Sequence, residues 1–495
     1  MPHLLPGFAG AGSGIERRMT FSQILALPAV EYVLAAAYLV IAASVTIDVL
    51  LKKSDVRAAL GWIAAAWLSP ILGGALYFLF GVNRVTRRAL KLARRRGRRS
   101  RRSGPEETPA LPEPVALMAQ IGERITGRPL RPGNRLTILQ DGDQAYPKML
   151  AAIGNAKSCI ALASYIFRDD EAGNGFVDAL IAARARGVDV RVLLDSVGTG
   201  HLRAPMIRRL RRGGVRAERF LHTWLPWRMP FLNMRNHRKL LVVDGATAFL
   251  GGMNIGRENI RALEPPHPVT DTHFRLKGPA VRAAMEAFAR DWCFTSGNDL
   301  DEAHWWPELP PDGPVFARGI SSGPDDELYR LENILGAALS VARSRVRIVT
   351  PYFLPDGRLQ FAIAQAVLRG VTVEIVLPQV SDQRIMDWAI RAHVRFFRHI
   401  EAHFTLSPAP FDHSKLMTVD GEWAVIGSSN WDTRSLRLNF EFDLECHDHD
   451  FIQVLDMLID AKIARGHRLK PEALLARPIW LQLRDAAARL LMPYL

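Results

Sequence analysis

One pattern occurs twice in this chain. Residues 236–254 read NHRKLLVVDGATAFLGGMN and residues 412–430 read DHSKLMTVDGEWAVIGSSN. Both fit His-x-Lys-x4-Asp-x6-Gly-[Gly/Ser]-x-Asn. His237 and His413 are 176 residues apart, and so are Lys239 and Lys415, Asp244 and Asp420, and Asn254 and Asn430. The chain holds 14 His, 10 Lys and 29 Asp among its 495 residues. His-x-Lys-x4-Asp is therefore expected by chance only about 0.02 times. Two matches with equal extensions mean duplication, and the chain must fold as two copies of one unit.

The surroundings repeat as well. CIALASYIF (159–167) has strand length, FVDALIAARARG (176–187) reads as a helix ending at a glycine, and VDVRVLLD (188–195) reads as a strand. The same order returns as VRIVTPYFL (346–354), LQFAIAQAVLRG (359–370) and VTVEIVLP (371–378). Alternating strands and helices predict an α/β fold.

Within each motif, LLVV and LMTV are strand-like, and Asp-Gly follows as a hairpin turn. Alternation puts His237 and Lys239 on one face and Arg238 on the other. His413 and Lys415 share a face in the same way, opposite Ser414. Each copy presents an imidazole, an ammonium and, beyond a small-residue turn, a carboxamide. Two copies together suit a phosphodiester. Lysines and amides neutralise the non-bridging oxygens. One neutral His attacks phosphorus, and the other, protonated, gives its proton to the departing alkoxide. The lysine pair supplies the positive charge, so neither metal nor cofactor is expected.

The net charge of +14 is local. Eleven Lys and Arg, and no acid, lie between Gly81 and Gly104, which leaves +3 for everything else. That distribution speaks against a nucleic-acid-binding surface. Ala58 to Asn83 is a run of 26 uncharged residues. As one helix it would reach about 39 Å, enough to cross a bilayer, with Pro70 mid-span. Val33 to Ile47 predicts a second, weaker span. The basic cluster just after the spans places the following chain on the cytoplasmic side, against anionic headgroups. Cys159, Cys293 and Cys446 are odd in number and far apart, so no disulfide framework or zinc site is expected.

These residues resemble the phospholipase D superfamily, and bacterial cardiolipin synthases in particular. RNHRKLLVVDG with GGMNIG resembles the family's first motif, and GSSNWDTRS with LNFE (427–441) its second. DTHFRLKGPAV (271–281) and the PIWLQLRDAAARLL tail are also similar, whereas ALEPPHPVT (262–270) lacks a tryptophan expected before Asp271. The resemblance implies two pseudo-symmetric mixed-sheet α/β domains sharing one site, behind an N-terminal two-helix transmembrane anchor. The implied layout is a tail at 1–29, two spans in 30–82, a basic segment and linker at 83–114, and domains at 115–310 and 311–495 with a C-terminal amphipathic tail. It implies His237 as nucleophile and His413 as acid/base, with Lys239, Lys415, Asp244 and Asp420 in the catalytic set, the two aspartates either supporting the reacting groups from behind or shaping a turn. Asn254, Asn430, Glu258 and Glu441 would support phosphate binding, the two glutamates by orienting a histidine or lysine.

The implied reaction transfers a phosphatidyl group from one phosphatidylglycerol to another in the inner membrane, releasing glycerol. A membrane phospholipase D with water as acceptor, another transphosphatidylase, a tethered nuclease and a non-catalytic lipid scaffold are the alternatives. Arg203 to Arg235, with His222, Trp224, Trp227, Met229 and Phe231, reads as an interfacial loop. Trp388 to Phe404 carries Arg391, Arg395 and Arg398 and fits either a membrane-facing or a packed segment. CHDHD (446–450) reads as a polar loop after a strand.

Overall fold

The computed structural model describes residues 28–53, 56–81, 113–200, 204–222 and 234–491. The basic segment and the aromatic loop of residues 224–231 lie outside them. The chain divides after Asn83 into two compact units.

In the N-terminal unit, α1 (Pro28–Lys52) contains a 22-residue stretch, Glu31–Lys52, with mean hydropathy 2.2 and the length to cross a membrane. The longer uncharged run does not form the single helix expected. It breaks into α2 (Val56–Leu68), α3 (Pro70–Leu76) and a π turn at Tyr77–Gly81. Pro70 is the cause. It bars the residue before it from helical backbone, and Ser69 sits at φ −147°. Chain direction then changes enough that a β-carbon on Gly73 would lie 2.2 Å from the Ala65 carbonyl oxygen. The expected ranking of the two runs is therefore reversed. Trp67 Nε1 donates to Thr46 Oγ1 at 3.1 Å, and the Tyr77 hydroxyl to Asp48 at 2.9 Å, tying the later pieces back to α1.

The second unit is built on one sheet. Its first half contributes β1 (Arg131–Gln140), β2 (Cys159–Ser164), β3 (Asp189–Asp195), β4 (Arg216–Phe220), β5 (Leu240–Val243), β6 (Thr247–Gly251) and β7 (Thr272–Lys277). The second half contributes β8 (Val315–Ser322), β9 (Arg345–Val349), β10 (Thr372–Pro378), β11 (His403–Ser407), β12 (Leu416–Val419), β13 (Trp423–Gly427) and β14 (Asn439–His447), and β15 (His467–Leu469) closes its edge. The spatial order is β4-β3-β2-β5-β6-β7-β1, then β8-β14-β13-β12-β9-β10-β11-β15. Each second-half strand through β14 has its first-half counterpart seven numbers earlier. The two copies are joined edge to edge by the antiparallel pair β1–β8, in which Arg131 faces Ala317 and Asn134 faces Val315. The buried Asn134 pins this seam, donating to the carbonyls of Arg131 and Val315 and accepting from Ala280 N. The expected pair of α/β domains is thus two halves of one continuous mixed sheet.

Helices cover both faces. The first half packs α5 (Asp141–Asn155), α6 (Glu171–Ala185) and α7 (Pro205–Arg212) on one face, where Ile160, Leu162, Val190 and Val192 point. The second half packs α9 (Arg330–Val341), α10 (Gly357–Leu368) and α11 (Arg384–Val394) on Val346, Ile348, Val373 and Ile375. A third core joins the halves and carries α8 (Val281–Ser296) and α13 (His449–Arg465), the latter through Phe451, Ile452, Leu455 and Ile459; the short α12 (Thr433–Arg437) leads into β14. Helix α4 (Glu113–Thr126), assigned from sequence to the first half, places Met118 in the second half's core. The buried Arg318 guanidinium on β8 donates to the Ala119 carbonyl and pairs with Glu445 at 2.6 Å.

Candidate active site

Backbone pairing across the halves builds the site. Arg235–Asn236 pairs in parallel with Asn439–Phe440, and His237 N donates to Phe440 O at 2.9 Å. Phe411–Asp412 pairs in parallel with Val269–Thr270, and His413 N donates to Thr270 O at 2.8 Å. The next residue on each partner segment is an acid. His237 Nδ1 lies 3.0 Å from Glu441 Oε2, and His413 Nδ1 lies 2.9 Å from Asp271 Oδ2. Each imidazole is held by a carboxylate from the opposite half. A carboxylate accepting from Nδ1–H fixes the tautomer and leaves the Nε2 lone pair free. The rings keep a little surface open, 9% for His237 and 12% for His413.

Residues 237–239 and 413–415 lie just ahead of β5 and β12 and outside them, yet the expected alternation holds. Lys239 Nζ donates to His237 O at 2.7 Å, and Lys415 Nζ to His413 O at 2.5 Å. The ammonium therefore stays beside the imidazole two residues earlier. Arg238 turns away and is fully buried, donating to Glu441 O at 2.9 Å and pairing with Asp291 at 2.5 Å. Ser414 hydrogen-bonds Thr272. Asn254 Oδ1 accepts from Ile166 N, which leaves its NH2 group available, and Asn430 is buried beside Lys415.

Burial and the crowding of positive charge set the protonation states. Burial takes His237 down to about 4, with Lys239 and Lys415 acting in the same direction and Glu441 opposing. Burial, then Lys415, Lys239 and His237, hold His413 well below its ordinary value. Lys415 is lowered to about 8, again chiefly by burial. The two carboxylates differ. Burial would raise Glu441, but His237 and Lys239 together with the Ser428 hydroxyl hold it below the usual range. Ser428 Oγ and Ser435 Oγ each donate to it at 2.6 Å. Asp271, where the equivalent of Ser428 is Gly252, has no such hydroxyl, and burial pushes it up to about 7.

Asp244 and Asp420 occupy the expected turns, and Glu258 lies away from both histidines and both lysines. The Asp244 carboxylate accepts from the amides of Lys157, Ser158 and Cys159, and that of Asp420 from Arg343, Ser344 and Arg345. Both residues have positive φ, as do Gly245 and Gly421 after them, so each Asp-Gly forms the type I′ hairpin turn. They sit across the whole length of β5 and β12 from the histidines and reach no reacting group. Glu258 pairs with Arg168 at 3.2 Å, not with a histidine or lysine.

The true counterpart of Glu441 is Asp271, to which the sequence alone assigns no role. Its signal was an acid at the head of the strand after each Asn. The spacing hid it, because Asp271 follows Asn254 by 17 residues and Glu441 follows Asn430 by 11. Tyr165, which no motif marks, also borders the site. Its ring is 5.0 Å from that of His237 and 5.3 Å from Lys239 Nζ. The CHDHD segment is structural: His447 ends β14, and Asp448 caps α13 through Phe451 N.

Comparison with known proteins agrees with this architecture. The family model described as "Cardiolipin synthase, PLD-like domain" matches residues 149–292 and 335–462, and one described as "Phospholipase_D-nuclease N-terminal" matches 40–81. "Major cardiolipin synthase ClsA" of Bacillus subtilis (strain 168) is 31% identical over 90% of this chain and 95% of its own. "Cardiolipin synthase A" of Pseudomonas aeruginosa (strain LESB58) is 32% identical over 91% and 93%. Among solved structures, phosphatidylserine synthase of Haemophilus influenzae Rd KW20 superposes with a TM-score of 0.59 at 16% identity, covering 77% of this chain and all of that one.

Proposed function

The chain belongs to the cardiolipin synthase family of PLD-like phospholipid-modifying transferases, and from that premise we propose a two-histidine phosphatidyl transfer between two phosphatidylglycerol molecules. The observation that carries it is the crossed pairing, each imidazole anchored through Nδ1 by the other half's carboxylate with an ammonium two residues on.

His237 Nε2 attacks the phosphorus of the first lipid. The P–O bond to glycerol breaks, and His413 passes its Nε2 proton to the glycerol alkoxide. An empty pocket with two ammonium groups keeps His413 neutral; the arriving phosphodiester supplies the negative charge that lets it take up a proton. Lys239, Lys415 and the Asn254 and Asn430 amides hold the non-bridging oxygens. His413 then removes the proton from a hydroxyl of the second phosphatidylglycerol. That oxygen attacks the phosphohistidine, forms cardiolipin and frees His237. The ionised Glu441 favours His237 as nucleophile, because it stabilises the cationic phosphorylated ring better than Asp271 would. At the membrane, α1 and the broken helix after it form two spans in the inner membrane, with the catalytic halves on the cytoplasmic side.

Purified protein in mixed micelles with phosphatidylglycerol tests the reaction. Cardiolipin plus glycerol supports it. Phosphatidic acid alone makes the enzyme a hydrolase, and cleavage of oligonucleotides without lipid turnover makes it a nuclease. His237→Ala and His413→Ala each abolish turnover; a retained rate in either contradicts the mechanism.

A further inference from the structure

The last helix of the chain, α14 (Ile479–Leu490), is inverted for a water-soluble protein. A surface helix normally turns its apolar stripe inward. Here Ile479, Trp480, Leu483 and Leu490 are each more than 60% exposed, and Leu491 is 46% exposed. With 3.6 residues per turn, these positions and the exposed Ala487 fall within an arc of about 120°. The opposite face carries the polar groups and packs on α11. Asp485 is 2% exposed and is paired with Arg477 at 2.5 Å and Arg484 at 2.6 Å. The Arg484 guanidinium lies 4.4 Å from the centre of the Trp388 ring, and that of Arg489 lies 4.6 Å from the centre of the Phe396 ring.

Single exposed apolar side chains are ordinary, but a continuous stripe marks a contact surface. Phe396 and Leu475, 42% and 40% exposed, add to it. Segments 384–401 and 471–491 hold seven arginines against four carboxylates, one of them the buried Asp485. An apolar stripe containing a tryptophan and bordered by arginines has the chemistry of a helix lying in a bilayer interface of negative surface charge.

We propose that the Ile479–Leu491 face lies in the headgroup and upper acyl region of an anionic bilayer and seats the catalytic unit on the lipid that it uses. The anionic character of that lipid rests on the catalytic reading; the insertion itself requires no turnover. The test uses the full chain with Ala487→Cys and Cys293→Ser, since Cys159 and Cys446 are buried. The new thiol carries an environment-sensitive dye, and the protein is reconstituted in vesicles of phosphatidylcholine with or without phosphatidylglycerol. Dye emission shifts to the blue with phosphatidylglycerol, and acyl-brominated lipid quenches it. Adding Ile479→Ser, Leu483→Ser and Leu490→Ser removes both effects. Water-like emission in phosphatidylglycerol vesicles overturns the proposal. So does an equal shift in pure phosphatidylcholine, or a shift that follows protein concentration, which means a second copy covers the stripe. Insertion without cardiolipin synthesis leaves this proposal standing and removes the catalytic one; cardiolipin synthesis without insertion does the reverse.

Discussion

At the level of single residues, the two half-sites are copies that have diverged in charge. Glu441 receives two serine hydroxyls and stays ionised, whereas Asp271 receives the Thr272 amide at 2.7 Å and is raised to about 7. Glu441→Gln keeps the shape but removes the charge that stabilises a cationic ring on His237. A loss of about 10²–10⁴ in kcat is expected, with the first glycerol release slowed in single-turnover measurement. A normal rate of that step would assign the nucleophile to His413. Lys415, lowered to about 8, must be protonated to hold a phosphate oxygen. Hence kcat/KM falls as pH rises through about 8. Lys415→Arg moves that limb upward, because guanidinium remains charged there; a limb unmoved in the variant assigns it to another group.

At the level of elements, the hairpin turns and the small-residue turns hold this chemistry in register. Asp244→Ala leaves three amides of residues 157–159 without their acceptor. It is expected to cost about 1–3 kcal/mol, read by thermal unfolding, and Asp420→Ala costs about the same, additively, since the turns share no partner. Gly252→Ala puts a β-carbon 2.7 Å from the Asp271 carboxylate. It displaces the acid from His413 and lowers kcat with little change in KM. The elements also show what a sequence conveys. The duplicated motif conveyed that His237, Lys239, His413 and Lys415 gather at one place, and the two-residue alternation conveyed that Arg238 turns away from them into the interior. Equal spacing suggested nothing about Asp271, because the first copy carries six extra residues between Asn254 and the acid. Of the two readings open for Asp244 and Asp420, behind the reacting groups or in a turn, the structure shows the turn. Their fixed place in the motif reflects a turn that needs a carboxylate for three amides, and a pattern of letters does not separate that need from catalysis. Hydropathy likewise counted Ala58–Asn83 as one run, although Pro70 divides it.

At the level of the whole molecule, forming one sheet from two copies gathers ionisable groups in the middle of the protein and makes its stability depend on pH near neutrality. Burial raises Asp271 and Asp443 to about 7, and Asp325 and Asp432 to about 6. In the unfolded chain these groups titrate near 3.8. Between pH 6 and 8 the native state therefore binds protons that the unfolded state does not. Stability falls as pH rises wherever the native state binds more protons. The buried histidines act below that range: His237, His273 and His393 are lowered to about 4, so they bind protons only on unfolding as pH drops below about 6.5. Their contribution offsets that of the aspartates from pH 6.5 down to 4 and is absent above it. Glu327 and Glu445, held near 2 by arginines, stay ionised throughout and add no slope. Lys239 and Lys415, lowered chiefly by burial, give up protons in the native state that the unfolded chain keeps, and so oppose this slope toward pH 8. The unfolding temperature in detergent is therefore expected to be highest near pH 6, to decrease toward pH 7 and to level off toward pH 8. Asp443→Asn, which retains a neutral side chain at one of the two highest-titrating sites, flattens that decline. An unfolding temperature that instead rises from pH 6 to 7, below the titration of Lys415, would mean that the central carboxylates are ionised in the native protein.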